Sequence, residues 1–180
     1  MPTATSASAT AVLVEAFSRT PELVATALDG LSHEDLVRRV DPDANSIAWL
    51  VWHTARMQDG QTAMAKRALG REDVDQVWTT QGFADRFGLD VSHRSVGYGM
   101  SSEDVAKVRA PAELLQAYHS AVNDDTIAFL DSLDDENYDT VVDRHYDPPV
   151  TLMARLVSIE QDAVQHLGQA AYVRGVLLRT

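Results

Sequence analysis

TLMARLVSIEQDAVQHLGQAAYVRGVL, residues 151 to 177, decides how the rest of the chain is read. Taken in steps of four and three from Leu152, it runs through Leu156, Ile159, Ala163, His166, Ala170, Val173 and Leu177. Residues three and four apart stack on one side of an α-helix, so this is a helical stripe built to face a core. Every member is apolar except His166. Asp162 lies four residues before it, and both should lean towards the interior.

Three more long helices can be placed upstream. Pro111 opens one whose apolar side is Leu115, Tyr118, Val122, Phe129 and Leu133. Another starts at Asn45 or Ser46 as N-cap and stops before Gly70, with Ile47, Leu50, His53, Met57, Gly60 and Met64 on its inner line. The first begins at Thr10 and is interrupted at Thr20-Pro21, which gives either a kinked helix or two short ones. Gly30 is its stop, and Ser32 with Asp35 forms a capping box for a short helix over residues 33 to 39. Residues 1 to 9 are small and polar and read as frayed. DDENYDTVVDRHYDPP (134 to 149) is a loop with a brief extended piece at Thr140 to Val142.

Residues 70 to 109 are poorly periodic, apart from a capping signal at Ser101 and Asp104. A connection this long is uncommon without a purpose. It can carry the chain from one end of a bundle to the other and leave helices two and three parallel. The expected fold is therefore all-α, a four-helix bundle in one domain spanning 1 to 180.

The totals narrow the function. The chain is 45% hydrophobic and carries 15 Lys+Arg against 27 Asp+Glu, a net charge of -12. There is no basic run, so nucleic acid and anionic membrane surfaces are not expected partners. With no cysteine, disulfides, thiolate metal sites and a cysteine nucleophile are excluded. No secretory signal and no membrane span is read from the sequence, and the expected location is cytoplasmic.

His53 interrupts the second helix as His166 interrupts the fourth. A carboxylate buried alone costs several kcal/mol, roughly, unless it is paired or binds a cation. Two readings fit. Asp162 and His166 bond one another and His53 is an ordinary core histidine; or all three ligate one metal ion. Imidazole nitrogen and carboxylate oxygen bind zinc at about 2.0 to 2.2 Å, and three protein ligands leave positions open for water or substrate.

NSIAWLVWHTARMQDGQ (45 to 61) and QDAVQHLGQAAYVRG (161 to 175) resemble the two signature helices of the DinB-like superfamily. That group includes mycothiol-dependent maleylpyruvate isomerases and mycothiol and bacillithiol S-transferases. The resemblance covers most of the chain. It implies up-down-down-up helix order and a divalent metal near one end, held by His53, Asp162 and His166. Isomerases have glutamate at the position of Asp162; aspartate is one methylene shorter and keeps a ligand oxygen. The resemblance further implies a metal-dependent S-transferase or isomerase. Its metal would be zinc, with nickel or manganese as alternatives, its cosubstrate mycothiol or bacillithiol, and its target a small electrophile. Relatives pair, so a homodimer is expected. A metal-dependent hydrolase and a non-catalytic binding module are the other readings.

Further polar residues have weaker claims. His145 reads as a solvated loop histidine, His119 as lying off the core face, and Arg56 and Arg174 as surface arginines able to hold a carboxylate. Trp49 and Trp52 read as core aromatics. Gln169 stands within reach of His166 as a hydrogen-bonding partner, and GYG (97 to 99) reads as a flexible turn.

Overall fold

The computed structural model describes residues 8 to 179. The segment expected to fray falls largely outside them, but Ser8 and Ala9 are ordered into a helix start. Ser8 accepts a hydrogen bond from the Ala11 amide and caps α1 (Ala9–Ser18). The Thr20-Pro21 interruption resolves as two helices, α2 being Thr20–Leu28, with the Thr20 hydroxyl bonded to the Phe17 carbonyl. Ser32 and Asp35 form a reciprocal capping box on α3 (His33–Val37).

Ser46 caps α4 (Ile47–Ala68). From Ile47 to Arg56 every residue of this helix is buried, so it is packed on all sides. The expected inner line holds through His53 and then fails: Met64 is 52% exposed. Beyond Met57 the buried side is instead Gln58, Asp59, Thr62, Ala63 and Ala65.

Residues 70 to 109 are more structured than their weak periodicity suggests. They form α5 (Val77–Thr80), α6 (Phe83–Phe87) and α7 (Ser102–Lys107), the last capped by Ser101. Helices of four to six residues are too short to print a period. Trp78, Phe83 and Phe87 anchor this crossover around Tyr118, with ring centroids 5.2, 4.9 and 5.7 Å away. Tyr118 belongs to α8 (Ala112–Asp131), which Pro111 caps. A 3-10 turn leads to strands β1 (Val141–Asp143) and β2 (Val150–Thr151), a small antiparallel pair with Val141 opposite Thr151. Thr151 caps α9 (Leu152–Leu177). The chain is mostly helical, and no helix among the described residues is long and apolar enough to cross a membrane.

Contacts give the helix directions around α4. Arg56 meets Tyr118, Gln58 meets Thr126 and Lys66 meets Asp125, so α4 and α8 run the same way. His53 meets His166 while Gln61 meets Arg155, so α9 runs oppositely. Two apolar clusters fill the interior, one around Trp52, Trp78 and Leu115, the other around Phe17, Phe129 and Leu156. Fully burying one such large side chain contributes roughly 1.5 to 3 kcal/mol. The buried set also includes polar Thr20, Gln58, Thr62, Asn123 and Thr126, which bond to one another. Their mutual bonds tie α2, α4 and α8 together and offset much of the cost of burying them, although Gln58 Oε1 has no partner among the described residues.

Candidate metal centre

Two helical turns and one loop build the site. His53 sits on the buried stretch of α4, 4% exposed, and its ring stacks on Trp49 one turn earlier, with centroids 4.5 Å apart. The crossover loop reaches it from the far side: the Val96 carbonyl lies 2.5 Å from His53 Nδ1. A carbonyl only accepts, so Nδ1 carries the proton and Nε2 is left with its lone pair.

On α9, Asp162 and His166 are stacked four residues apart, with Oδ1 3.5 Å from Nε2. His166 Nδ1 lies 3.1 Å from Gln169 Oε1, as expected of Gln169. That bond places a proton on Nδ1, while Nε2 faces the Asp162 carboxylate. The His166 ring stands edge-on to His53, with centroids 4.8 Å apart. One ligand atom from each of His53, Asp162 and His166 lies within 4.8 Å of the others. The three residues singled out in the sequence are thus brought together.

Their burial differs from expectation. Side-chain exposure is 20% for His166 and 31% for Asp162, so both stand at the rim. Leu167, 2% exposed, takes the inward place on α9. Alternating steps of four and three fit Ala163, Leu167 and Ala170 as well as they fit His166. The consequence is a site reachable by a small molecule, with one ligand from the interior and two from the edge.

The electrostatics treat the two imidazoles differently. Burial pushes the His53 pKa down, partly offset by its bond to Val96, so the ring is neutral and able to ligate. The Asp162 carboxylate raises the His166 pKa against the opposing effect of burial. With Nδ1 protonated, neutral His166 turns a lone pair towards a carboxylate. Two acceptors facing each other at 3.5 Å need a proton or a metal cation between them. The donor set therefore fits a divalent cation, and the imidazole–carboxylate mixture suits zinc, nickel or manganese.

Other candidates resolve differently. His145 is exposed on the hairpin, bonded to Asp143, and takes no part in the cluster. His119 does not lie off the core: it is fully buried, with no hydrogen-bond partner for either ring nitrogen among the described residues. Arg56 is no surface arginine. Its side chain is wholly buried, donates to the Ser95, His93 and Gln76 oxygens and to the Tyr118 hydroxyl, and covers the Trp78 ring. Arg174 ties α9 to the Asp29 carbonyl at the end of α2. Trp49 and Trp52 are core aromatics, as expected. GYG is not merely a turn, because Gly97 packs directly on the His53 imidazole.

The sequence reading missed Val96, Gly97 and the Arg56–Asp59 pair as supports of the site. Asp59 accepts from the Val77 and Trp78 amides and the Tyr118 hydroxyl, so α4 caps α5 from outside. A backbone carbonyl leaves no trace in a sequence. The readable signal was Arg56 and Asp59, opposite charges three apart inside an otherwise apolar helix.

A family model of the DinB superfamily matches residues 16–170. Among solved structures, the chain is similar to a conserved protein of Enterococcus faecalis, with 32% identity and a TM-score of 0.84. The match covers 94% of this chain and 96% of that one. No curated protein matches. Matched length and shared fold agree: the chain belongs to the DinB superfamily.

Proposed function

We propose that this protein is a divalent-metal-dependent S-transferase or isomerase, built as an up-down-down-up four-helix bundle. It would join a low-molecular-weight thiol to a small electrophile. One observation carries the reading: one ligand atom from each of two imidazoles and a carboxylate converge within 4.8 Å, with each Nδ1 already facing an acceptor. Orientation of metal-binding imidazoles by such outer bonds is a recurrent feature of metal sites.

His53, Asp162 and His166 act as ligands. A divalent cation held there supplies the positive charge that keeps a thiol sulfur deprotonated near neutral pH. The chain contains no cysteine, so the sulfur belongs to a cosubstrate, for which the superfamily suggests mycothiol or bacillithiol. Trp49 and the Val96–Gly97 backbone wall off one side of His53 and exclude water there. Asp162 and His166 at the rim leave the opposite side open to the electrophile. The reading places the protein in the cytoplasm, as a homodimer.

The test is metal content by elemental analysis, followed by thiol consumption with the protein loaded and stripped. The wild type should take up about one zinc per chain, as a three-ligand site implies. His166→Ala should remain helical and lose that metal. Turnover that requires added thiol supports transfer, whereas turnover without thiol identifies a hydrolase. Full metal occupancy in His166→Ala would refute the ligand assignment.

A further inference from the structure

Beside the metal cluster lies a cleft of about 610 Å3, bounded by α4, α9, the hairpin and the 96–98 loop. That size suits a small organic molecule. Met57, one turn beyond His53, and Val96, whose carbonyl holds His53, form its near end. Gln61 and Arg155 stand further along.

The polar groups here are spent unevenly. Arg56 Nη1 donates to Gln76 Oε1 at 2.8 Å, and Arg155 Nη1 donates to Gln61 Oε1 at 3.1 Å. A guanidinium has no acceptor, so both amides must turn their oxygens towards the arginines. Each amide NH2 is left without a protein partner among the described residues. Asp143 is likewise consumed: Oδ2 receives Arg155 Nη2 at 2.7 Å, and Oδ1 receives the His145 amide at 3.0 Å. Arg67 donates through Nε and Nη2 to the Val74 carbonyl and keeps Nη1. Arg155 pairs with Asp143, and Arg67 with Asp75 at 3.8 Å. The side-chain groups left to a ligand are therefore the two amide NH2 groups, Arg67 Nη1 and the hydroxyls of Tyr98 and Tyr146, mostly donors on a chain of net charge -12.

We infer that this cleft binds the carboxylate of an organic acid, with its apolar body over Met57 and Val96 and its carboxylate at the amides of Gln61 and Gln76. Arg155 precedes Asp162 by seven residues, roughly 10 Å along the helix. A ligand bridging cluster and donors thus carries its carboxylate several bonds from its reacting carbon. In calling this acid the electrophilic substrate, the inference rests on the metal-centre reading; the binding itself does not.

The probe is hexanoate, with hexylamine as control, titrated against the full chain without thiol and followed by methionine-methyl NMR. Hexanoate should shift the Met57 and Met64 methyls saturably and leave Met153, packed in the distant apolar cluster, in place. Hexylamine should not. Gln61→Leu should weaken hexanoate about tenfold or more. Gly60→Leu should block it, since a β-carbon there meets nothing nearer than 3.8 Å and the added side chain can extend into the cleft. No saturable shift, an equal response to hexylamine, or unchanged affinity in both variants overturns the inference. If hexanoate fails while wild-type protein still binds metal and consumes thiol, only this inference falls. If hexanoate binds but metal does not, only the metal-centre reading falls.

Discussion

Gly97 lies against the face of His53 so closely that a β-carbon there would overlap Nδ1, and would come within 3.1 Å of Trp49 Cζ2. Its φ of +96° is also one that side-chain-bearing residues rarely adopt. Gly97→Ala should therefore cost roughly 1 to 3 kcal/mol of stability. It should also lower zinc affinity by about tenfold to a hundredfold, because the bond orienting His53 is disturbed. Thermal unfolding and competitive zinc titration measure the two effects. Wild-type zinc affinity in this variant would show that the loop does not position the imidazole.

Arg56 and Asp59 are both fully buried, with Nη1 3.6 Å from Oδ2. Removing one leaves the other charged, buried and incompletely matched. Arg56→Met should destabilise by roughly 3 to 5 kcal/mol in urea unfolding. Burial already pushes the Asp59 pKa up despite its hydrogen bonds, which shows how exposed it is to losing its cation. Combined with Asp59→Leu, the loss should be smaller than the sum of the two single losses. Strict additivity would mean the pair acts as two unrelated anchors.

The long helices were legible because each prints many turns of period and begins at a recognisable cap, as Ser46, Pro111 and Thr151 do. The three metal candidates were legible as polar intruders on apolar lines. What escaped has physical causes. Met64 falls on the apolar line because periodicity cannot tell a core from a cleft wall, and it lines the cleft. His119 and Arg56 read as outside because polarity argues for exposure, while burial depends on neighbours from other elements. Arg56 is satisfied by carbonyls some 40 residues away, and no local pattern encodes such a bond.

Asp162 governs the state of His166. In the metal-free protein its carboxylate holds the imidazole pKa above the usual 6.5. A raised pKa means the folded state takes up the proton more readily than the unfolded chain. The associated stability is fully present below pH 6.5 and is lost as pH rises through the folded value. Asp162→Asn should lower the His166 pKa in NMR titrations and remove that pH-dependent contribution. It should also weaken zinc binding, since an amide oxygen replaces a charged ligand. An unchanged His166 titration would show that the two side chains are not coupled.

His119 makes a prediction of opposite sign. Burial drives its pKa down to about 4, and among the described residues neither ring nitrogen has a hydrogen-bond partner to resist that shift. The unfolded chain takes up this proton near pH 6.5, and the folded protein not until about 4. Stability is therefore complete above 6.5 and declines as pH falls towards 4, by up to roughly 3 kcal/mol from this residue. His119→Leu keeps a similar volume and carries no titrating group. Its urea-unfolding free energy should fall less than that of the wild type between pH 7 and pH 4.5. Asp59 and His166 titrate in both proteins, so their contributions cancel in the comparison. Parallel pH profiles would mean that His119 gains a partner or solvent access in solution, contrary to its burial here.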